Sequence, residues 1–162
     1  MYSAFGVTNI VVVMNQKYCE DKWAEFLRNV SSKIILVRNA DPDFGKFHSL
    51  KLGLGHITAK SFCFLQPVDQ PFIDEDLLNA LWANRNPTGF VSPVFEGRGG
   101  HPVLISESVI KSALVEKESD LNLKEFLCRF PKVDIKMNNN NVLKNINSPE
   151  DYMQISSYNI MA

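Results

Sequence analysis

Two kinds of block alternate along this chain: short apolar runs rich in β-branched residues, and longer stretches whose apolar side chains recur every three or four positions. Val7–Met14, with Ile10-Val11-Val12-Val13 at its centre, predicts a strand buried on both faces, as in parallel sheets. Gly6 has the character of a residue just past a helix end, although Met1–Phe5 is too short to predict an element. Gln16–Val30 carries Trp23, Phe26, Leu27 and Val30 at helical spacing, an amphipathic helix. Lys33–Val37 predicts a second strand, Asn39–Asp43 a loop, and Phe47–Ile57 a helix starting near Ser49 with Leu50, Leu54 and Ile57 inward.

Phe62–Leu65 predicts the central strand, stopped at Pro67. Asp74-Glu75-Asp76 then loads acids at the start of a helix through Leu77, Leu78, Leu81 and Trp82, ending near Asn86-Pro87. Gly89–Phe95 reads as a strand that Pro93 confines to an edge or gives an irregular end. After a glycine-rich turn, Pro102–Ile105 returns as a strand, and Glu107–Leu114 and Leu121–Phe130 are helices. Val133–Met137 alternates like an edge strand, Asn138–Asn141 is a tight polar turn, and Val142–Ile146 is a last strand. Ser148-Pro149-Glu150-Asp151 opens a final helix, with serine at the cap and proline at the first helical position. Alternation of strands and helices predicts an α/β sandwich with a mainly parallel sheet, undivided by repeat or linker.

With 162 residues, 45% of them hydrophobic and 22% charged, the chain has the size and composition of one globular domain. A net charge of −1 supplies no basic surface for nucleic acid or anionic membrane, and no apolar run is long enough to span a bilayer. Three widely spaced cysteines, Cys19, Cys63 and Cys128, indicate neither a disulfide framework nor a zinc knuckle, and a cytoplasmic setting is expected. Cys63 is expected to be a small core residue.

Four stretches could carry chemistry. Asp69, flanked by Pro67 and Pro71, is a lone carboxylate at a strand end, where it could hold Mg²⁺ or bond its own turn. Asn145-Ile146-Asn147-Ser148-Pro149-Glu150-Asp151 could complete a metal shell or simply cap a helix. Gly97-Arg98-Gly99-Gly100-His101-Pro102 offers close backbone approach and donors, or is a hairpin loop. Gly45-Lys46-Phe47-His48-Ser49-Leu50-Lys51 is an anion or ribose site at a helix start, or an ordinary cap.

In this order the four resemble the nucleotidyltransferases of molybdenum cofactor maturation, especially their cytidylyltransferase branch. That branch shows a "G-M-x-x-S-L-R-x-G-L" helix start, a "D-Q-P" strand end, a "G-x-x-G-H-P-V-L" loop and a "D-I-D-T-P-E-D" cap. Here they stand as Gly45–Leu54, Asp69-Gln70-Pro71, Gly97–Leu104 and Asn145–Asp151, and Ser119-Asp120-Leu121-Asn122-Leu123 resembles a further family stretch. The resemblance implies one Rossmann-like three-layer α/β/α domain over residues 1–162, N-terminally truncated. It also implies a reaction joining CTP, or GTP, to a molybdopterin-type phosphorylated acceptor with release of pyrophosphate. Asp69 and Asn147 would hold Mg²⁺, Gly45, Ser49 and Asp69 would lie by the nucleotide, and Gln70, Gly100 and His101 by the acceptor. It assigns no catalytic residue.

Two departures shape the functional expectation. Asn147 stands where the family has an acid, which removes one negative charge from the metal site. Nothing corresponds to the family's opening strand and "L-A-A-G-x-S-x-R-x-G" loop, whose amides and cations grip the triphosphate. That strand would lie between those beginning here at Val7 and Phe62, and its loss leaves two central edges unpaired. The expectation is therefore a chain inactive alone, in which the true start lies upstream, or an N-terminal partner segment or a second copy fills the slot, or the sheet has rearranged. The alternative is a non-catalytic nucleotide-binding or interaction subunit of the same fold.

Overall fold

A computed structural model of the chain describes residues 1–19, 21–57, 61–118 and 121–158. In chain order it contains α1 (Tyr2–Phe5), β1 (Ile10–Asn15), α2 (Asp21–Val30), β2 (Ile34–Asn39), α3 (Gly45–Leu54), β3 (Cys63–Leu65) and α4 (Glu75–Ala83). There follow β4 (Phe90–Phe95), β5 (Arg98–Gly99), β6 (Val103–Ile105), α5 (Glu107–Val115), α6 (Leu123–Leu127), β7 (Lys132–Lys136) and α7 (Pro149–Tyr158). Gly6 does close a helix: its φ of 97° is left-handed and its N–H returns to the Tyr2 carbonyl. Ser119 and Asp120, part of the family-like stretch, lie outside the described residues.

The strands form two sheets. β1 and β2 pair in parallel from Ile10 opposite Ile34 to Asn15 opposite Asn39. The other five run in the order β3-β6-β4-β5, with β7 beside β4. Only β4 with β7 is parallel there, while β3–β6, β4–β6 and β4–β5 are antiparallel. The expected mainly parallel sheet is thus corrected. The glycine-rich turn after β4 sends the chain straight back as β5 and β6, and a short return can only make antiparallel pairs.

Alternate residues of the larger sheet feed opposite faces. Phe90, Val103 and Ile105 pack with Phe47 and Leu54 of α3, Val109 and Ile110 of α5 and Phe126 of α6. Val91 and Leu104 pack with Leu77 and Leu81 of α4 and with Val142. Helices therefore cover both faces of this sheet. Asp74 caps α4 by accepting the Leu77 N–H at 2.8 Å.

Several local expectations are corrected. Pro93 does not put β4 at an edge. It sits where the neighbour of β4 changes from β6, opposite Phe90 and Val91, to β5, opposite Val94 and Phe95, so its missing N–H breaks no ladder bond. Its carbonyl still accepts the Gly100 N–H at 2.8 Å. Val142–Ile146 is no strand: Asn141–Leu143 is a 3-10 turn, and its Val142 carbonyl accepts the His101 N–H. α3 begins at Gly45, so Ser49 lies one turn inside the helix. The apolar residues of α2 do not form a buried face, since Trp23, Phe26 and Val30 are exposed. Cys63 is half-buried and packs against the core cluster as expected of a small core residue, and all three cysteines are free thiols. No described helix is long and apolar enough to cross a membrane.

Leu104 is wholly buried, and Leu104→Ala is expected to cost about 2–5 kcal/mol by denaturant unfolding. Phe26→Ala, on the exposed side of α2, should stay within about 0.5 kcal/mol of the parent.

Candidate functional site

The two sheets do not touch through a ladder. Between them lies a cleft of about 2180 Å³, walled by Ile10–Val13 of β1 on one side and Phe62–Leu65 on the other. Leu50, Gly53 and Leu54 of α3 and Tyr2 and Phe5 of α1 line it as well. Ser49, Asp69, Gly100 and His101 also line it, with Lys46. The structure thus brings four of the seven expected site residues to one cleft. Gly45, Gln70 and Asn147 do not line it.

On the β2 side, the chain places a buried polar residue at the carboxyl end of the strand. Asn39 is 2% exposed, its Nδ2 donates to Ser49 Oγ at 3.0 Å, and its Oδ1 accepts the Asp41 N–H at 2.9 Å. Burying an amide is tolerated only when its hydrogen bonds are met, so this pair fixes the start of α3 against β2. The Ser49 hydroxyl in turn donates to the Gly45 carbonyl at 3.4 Å. Asn39 was read as loop in sequence. The signal for it was a polar residue two positions past the apolar run Ile34–Val37, in strand phase with Ile35 and Val37. Gly45 enters the helix with a φ of 83°, a left-handed value that favours glycine.

On the β3 side, the chain leaves the strand through Gln66 and turns at Pro67–Gln70, the Gln70 N–H returning to the Pro67 carbonyl. The Gln66 side-chain amide donates to the Gln70 carbonyl, bracing the turn. Asp69 accepts the Ile146 N–H on its own carbonyl at 2.6 Å, which draws Asn145–Asn147 alongside. Gln70 Nε2 donates to Asn145 Oδ1 across the same seam. The cap of α7 is reciprocal: Ser148 Oγ accepts the Asp151 N–H, and Asp151 Oδ2 accepts the N–H groups of Asn147 and Ser148. Those bonds hold the Asp151 carboxyl below its usual range, the Asn147 N–H contributing most.

His101 completes the mouth of the cleft. Burial lowers its imidazole below the usual 6.5, the Asp69 charge works against that, and Lys46 adds to the lowering. Asp69, Lys46 and His101 therefore share one electrostatic neighbourhood, assembled from the turn after β3, the start of α3 and the loop after β5. Two buried side-chain atoms have no protein partner among the described residues, His101 Nδ1 and Gln70 Oε1. Buried polar atoms without partners are uncommon in folded proteins and point to a ligand or water. Gly100 has a packing reason of its own: a Cβ there would stand 2.4 Å from the Val142 carbonyl oxygen. Lys51 points elsewhere, donating to the Glu116 carbonyl, and Arg98 is exposed on β5.

Among the described residues no three histidine, cysteine or acidic side chains converge as a metal cluster. Of the two oxygen donors expected to hold a metal, the Asp69 carboxylate lines the cleft and Asn147 does not. A carboxylate of this kind suits Mg²⁺, which is usually held by one or two carboxylates together with substrate phosphates and water.

An α/β domain with a polar mouth over a cleft at strand ends is the class defined by this fold and site. Over residues 1–132 the chain matches the MobA-like NTP transferase domain, and it belongs to that family. It is 25% identical over 122 residues to the molybdenum cofactor cytidylyltransferase of Escherichia coli strain K12. The match covers 75% of this chain, and the chain spans only 62% of that relative's length. The manganese complex of Rv0371c from Mycobacterium tuberculosis H37Rv superposes with a TM-score of 0.69 at 16% identity, over 95% of this chain and 81% of that one. Molybdopterin-guanine dinucleotide biosynthesis protein A from Archaeoglobus fulgidus gives 0.60 at 17% identity, over 94% of this chain and 79% of that one. At these identities the two structures establish the fold.

Gly100→Ala should lower stability by about 1–3 kcal/mol through overpacking against Val142, read as a fall in the unfolding midpoint. The lowered His101 has a sign to check. Below 6.5 the unfolded imidazole gains its proton while the folded one resists, so stability should drop as pH falls from 6.5 through the folded value. His101→Gln should flatten that part of the profile in denaturation at a series of pH values. An unchanged slope would remove His101 as its cause.

Proposed function

We propose that the cleft binds a magnesium nucleoside triphosphate and faces a molybdopterin-type phosphorylated acceptor, and that the isolated chain does not itself complete nucleotidyl transfer. CTP is favoured over GTP by the motif order and by the cytidylyltransferase relative. The observation carrying the reading is the meeting of Ser49, Asp69, Lys46 and His101 at one cleft mouth, beside the unpartnered Nδ1 of His101. In nucleotidyl transfer an acceptor phosphate oxygen attacks the α-phosphorus, the bond to the β-phosphate oxygen breaks, and pyrophosphate leaves.

Each residue has a role in that scheme. Asp69 and Asn147 would hold Mg²⁺, which when bound neutralises charge on the phosphates. Ser49 and the Gly45 turn, fixed by Asn39, lie beside the nucleotide. His101, held neutral by burial, offers its unpartnered ring nitrogen to the acceptor, with Gln70 and Gly100 bordering it. Lys46 is the cation next to Asp69 and His101. Stabilising the charge that develops on leaving pyrophosphate takes several preorganised donors, and of the described lysines lining the cleft, Lys46, Lys124 and Lys132, only Lys46 acts on His101 beside Asp69. Substituting Asn147 for an acid lowers the site's charge and with it the metal affinity.

The second reading, a non-catalytic nucleotide-binding subunit, is favoured by Lys46 being the one described lysine that acts on His101. Equilibrium binding of CTP and GTP with and without Mg²⁺, together with a pyrophosphate assay, separates the possibilities. The expected result is weak Mg²⁺-dependent CTP binding, lost in Asp69→Ala, and no turnover. Pyrophosphate released from CTP and a molybdopterin acceptor at about 1–1,000 per second would contradict the proposed inactivity. Binding unchanged in Asp69→Ala would end the metal assignment.

A further inference from the structure

α6 separates two hollows. Leu123, Lys124, Leu127 and Cys128 line the cleft, whereas Phe126, with Arg129 and Phe130 in the turn that follows, lines a second cavity. That cavity holds about 480 Å³ and is closed on its other side by Ser112 and Val115 of α5 and by Glu116 and Lys117 just beyond it. The two hollows share no lining residue. Small-molecule sites commonly enclose about 300–1,000 Å³.

The floor of the second cavity is apolar. The Phe126 ring is 1% exposed and is held between Phe47, at 4.9 Å between centroids, and Phe130, at 5.2 Å. Half-buried Phe130 and Val115, which is 78% exposed, supply the apolar surface that stays open.

The rim is cationic. The Arg129 guanidinium lies 5.6 Å from the centre of the Phe126 ring, and its Nη1 donates to Glu116 Oε2 at 2.7 Å. That bond uses one N–H of a group that carries several. Both oxygens of Glu116 are occupied, because Oε1 accepts the N–H groups of Lys117 and Glu118. Arg129 foremost, these donors hold the Glu116 carboxyl below its usual range. Lys117 is exposed alongside, its ammonium without an acid partner among the described residues. Two cations and one acid thus line the cavity and leave it one positive charge.

We propose that this cavity binds a small organic monocarboxylate carrying a planar apolar ring, at a site separate from the cleft. The ring lies on Phe130 and Val115, and the carboxylate accepts the remaining N–H groups of Arg129 with Lys117 beside it. Set over a buried ring and held by Glu116, the guanidinium is already oriented, which lowers the entropy cost of binding. A single residual charge matches a monoanion better than a phosphomonoester, which carries about 1.5–2 negative charges at neutral pH.

The inference stands apart from the nucleotide reading, and its test uses the full chain without nucleotide. Three probes are titrated by calorimetry: 2-naphthoate has ring and charge, 2-naphthamide the ring alone, and acetate the charge alone. 2-Naphthoate should bind one to one, and the other two about tenfold or more weakly, since each lacks half of the match. Arg129→Gln should weaken 2-naphthoate binding about tenfold and Lys117→Gln about threefold. Lys136→Gln on β7 removes the same charge elsewhere and should leave binding unchanged. No binding of 2-naphthoate, equal binding of 2-naphthamide, or full affinity in the Arg129→Gln, Lys117→Gln double variant would overturn the site. So would a larger loss in Lys124→Gln than in Lys117→Gln, which would put the probe in the cleft on the other face of α6.

Discussion

Unpaired backbone on β1 and β3 is the constraint around which this structure is arranged. Main-chain N–H and C=O groups need partners wherever water is excluded, and here Val11 and Val13 of β1 and Phe64 of β3 turn theirs to a cleft rather than meeting in one ladder, the Phe64 carbonyl accepting only the Cys63 thiol at 3.6 Å. What joins the half-sheets is side-chain packing. α3 lies against β1 and β2 and also contributes Phe47 and Leu54 to the core under the larger sheet. α1 adds an aromatic contact to Phe64 from the opposite side. An edge that is neither paired nor charged is normally an association surface.

The candidate site inherits that division. Asn39 and Ser49 belong to the β2 side and are locked to each other, whereas Asp69, Gln70 and the Asn145–Asn147 segment are stitched together on the β3 side. Lys46 and Asp69, from the two sides, both act on His101. The geometry of any bound phosphate therefore depends on how firmly α3 holds the halves in register. The chain belongs to the MobA-like NTP transferases, and both halves of the site lie within the residues that match that family except for the Asn145–Asn147 segment.

Much of the architecture was legible in the hydrophobic pattern, because β-branched runs such as Ile10–Val13 and Ile34–Val37 have one economical use. The polar caps at Asp74 and Ser148 were also legible, each being a local bond between neighbours. What escaped the sequence depends on distant partners. Pro93 looks like an edge residue until β4 is seen to change neighbours there. Val142–Leu143 looks like a strand start until Gly100 and His101 are seen to pack on that turn. The amphipathic spacing of α2 was real, but spacing does not say what an apolar stripe faces, and this one faces outward. At the site, order along the chain located Ser49, Asp69, Gly100 and His101, whereas the buried Asn39 behind Ser49 emerges only from the fold.

The most direct test of the divided sheet is amide hydrogen exchange along β1 in the chain alone. Val12 and Met14, bonded to β2, should exchange slowly, while Val11 and Val13, turned to the cleft, should exchange fast, giving an alternating pattern. Uniformly slow exchange from Ile10 to Asn15 would contradict the account, since it would mean that the second edge of β1 is already paired.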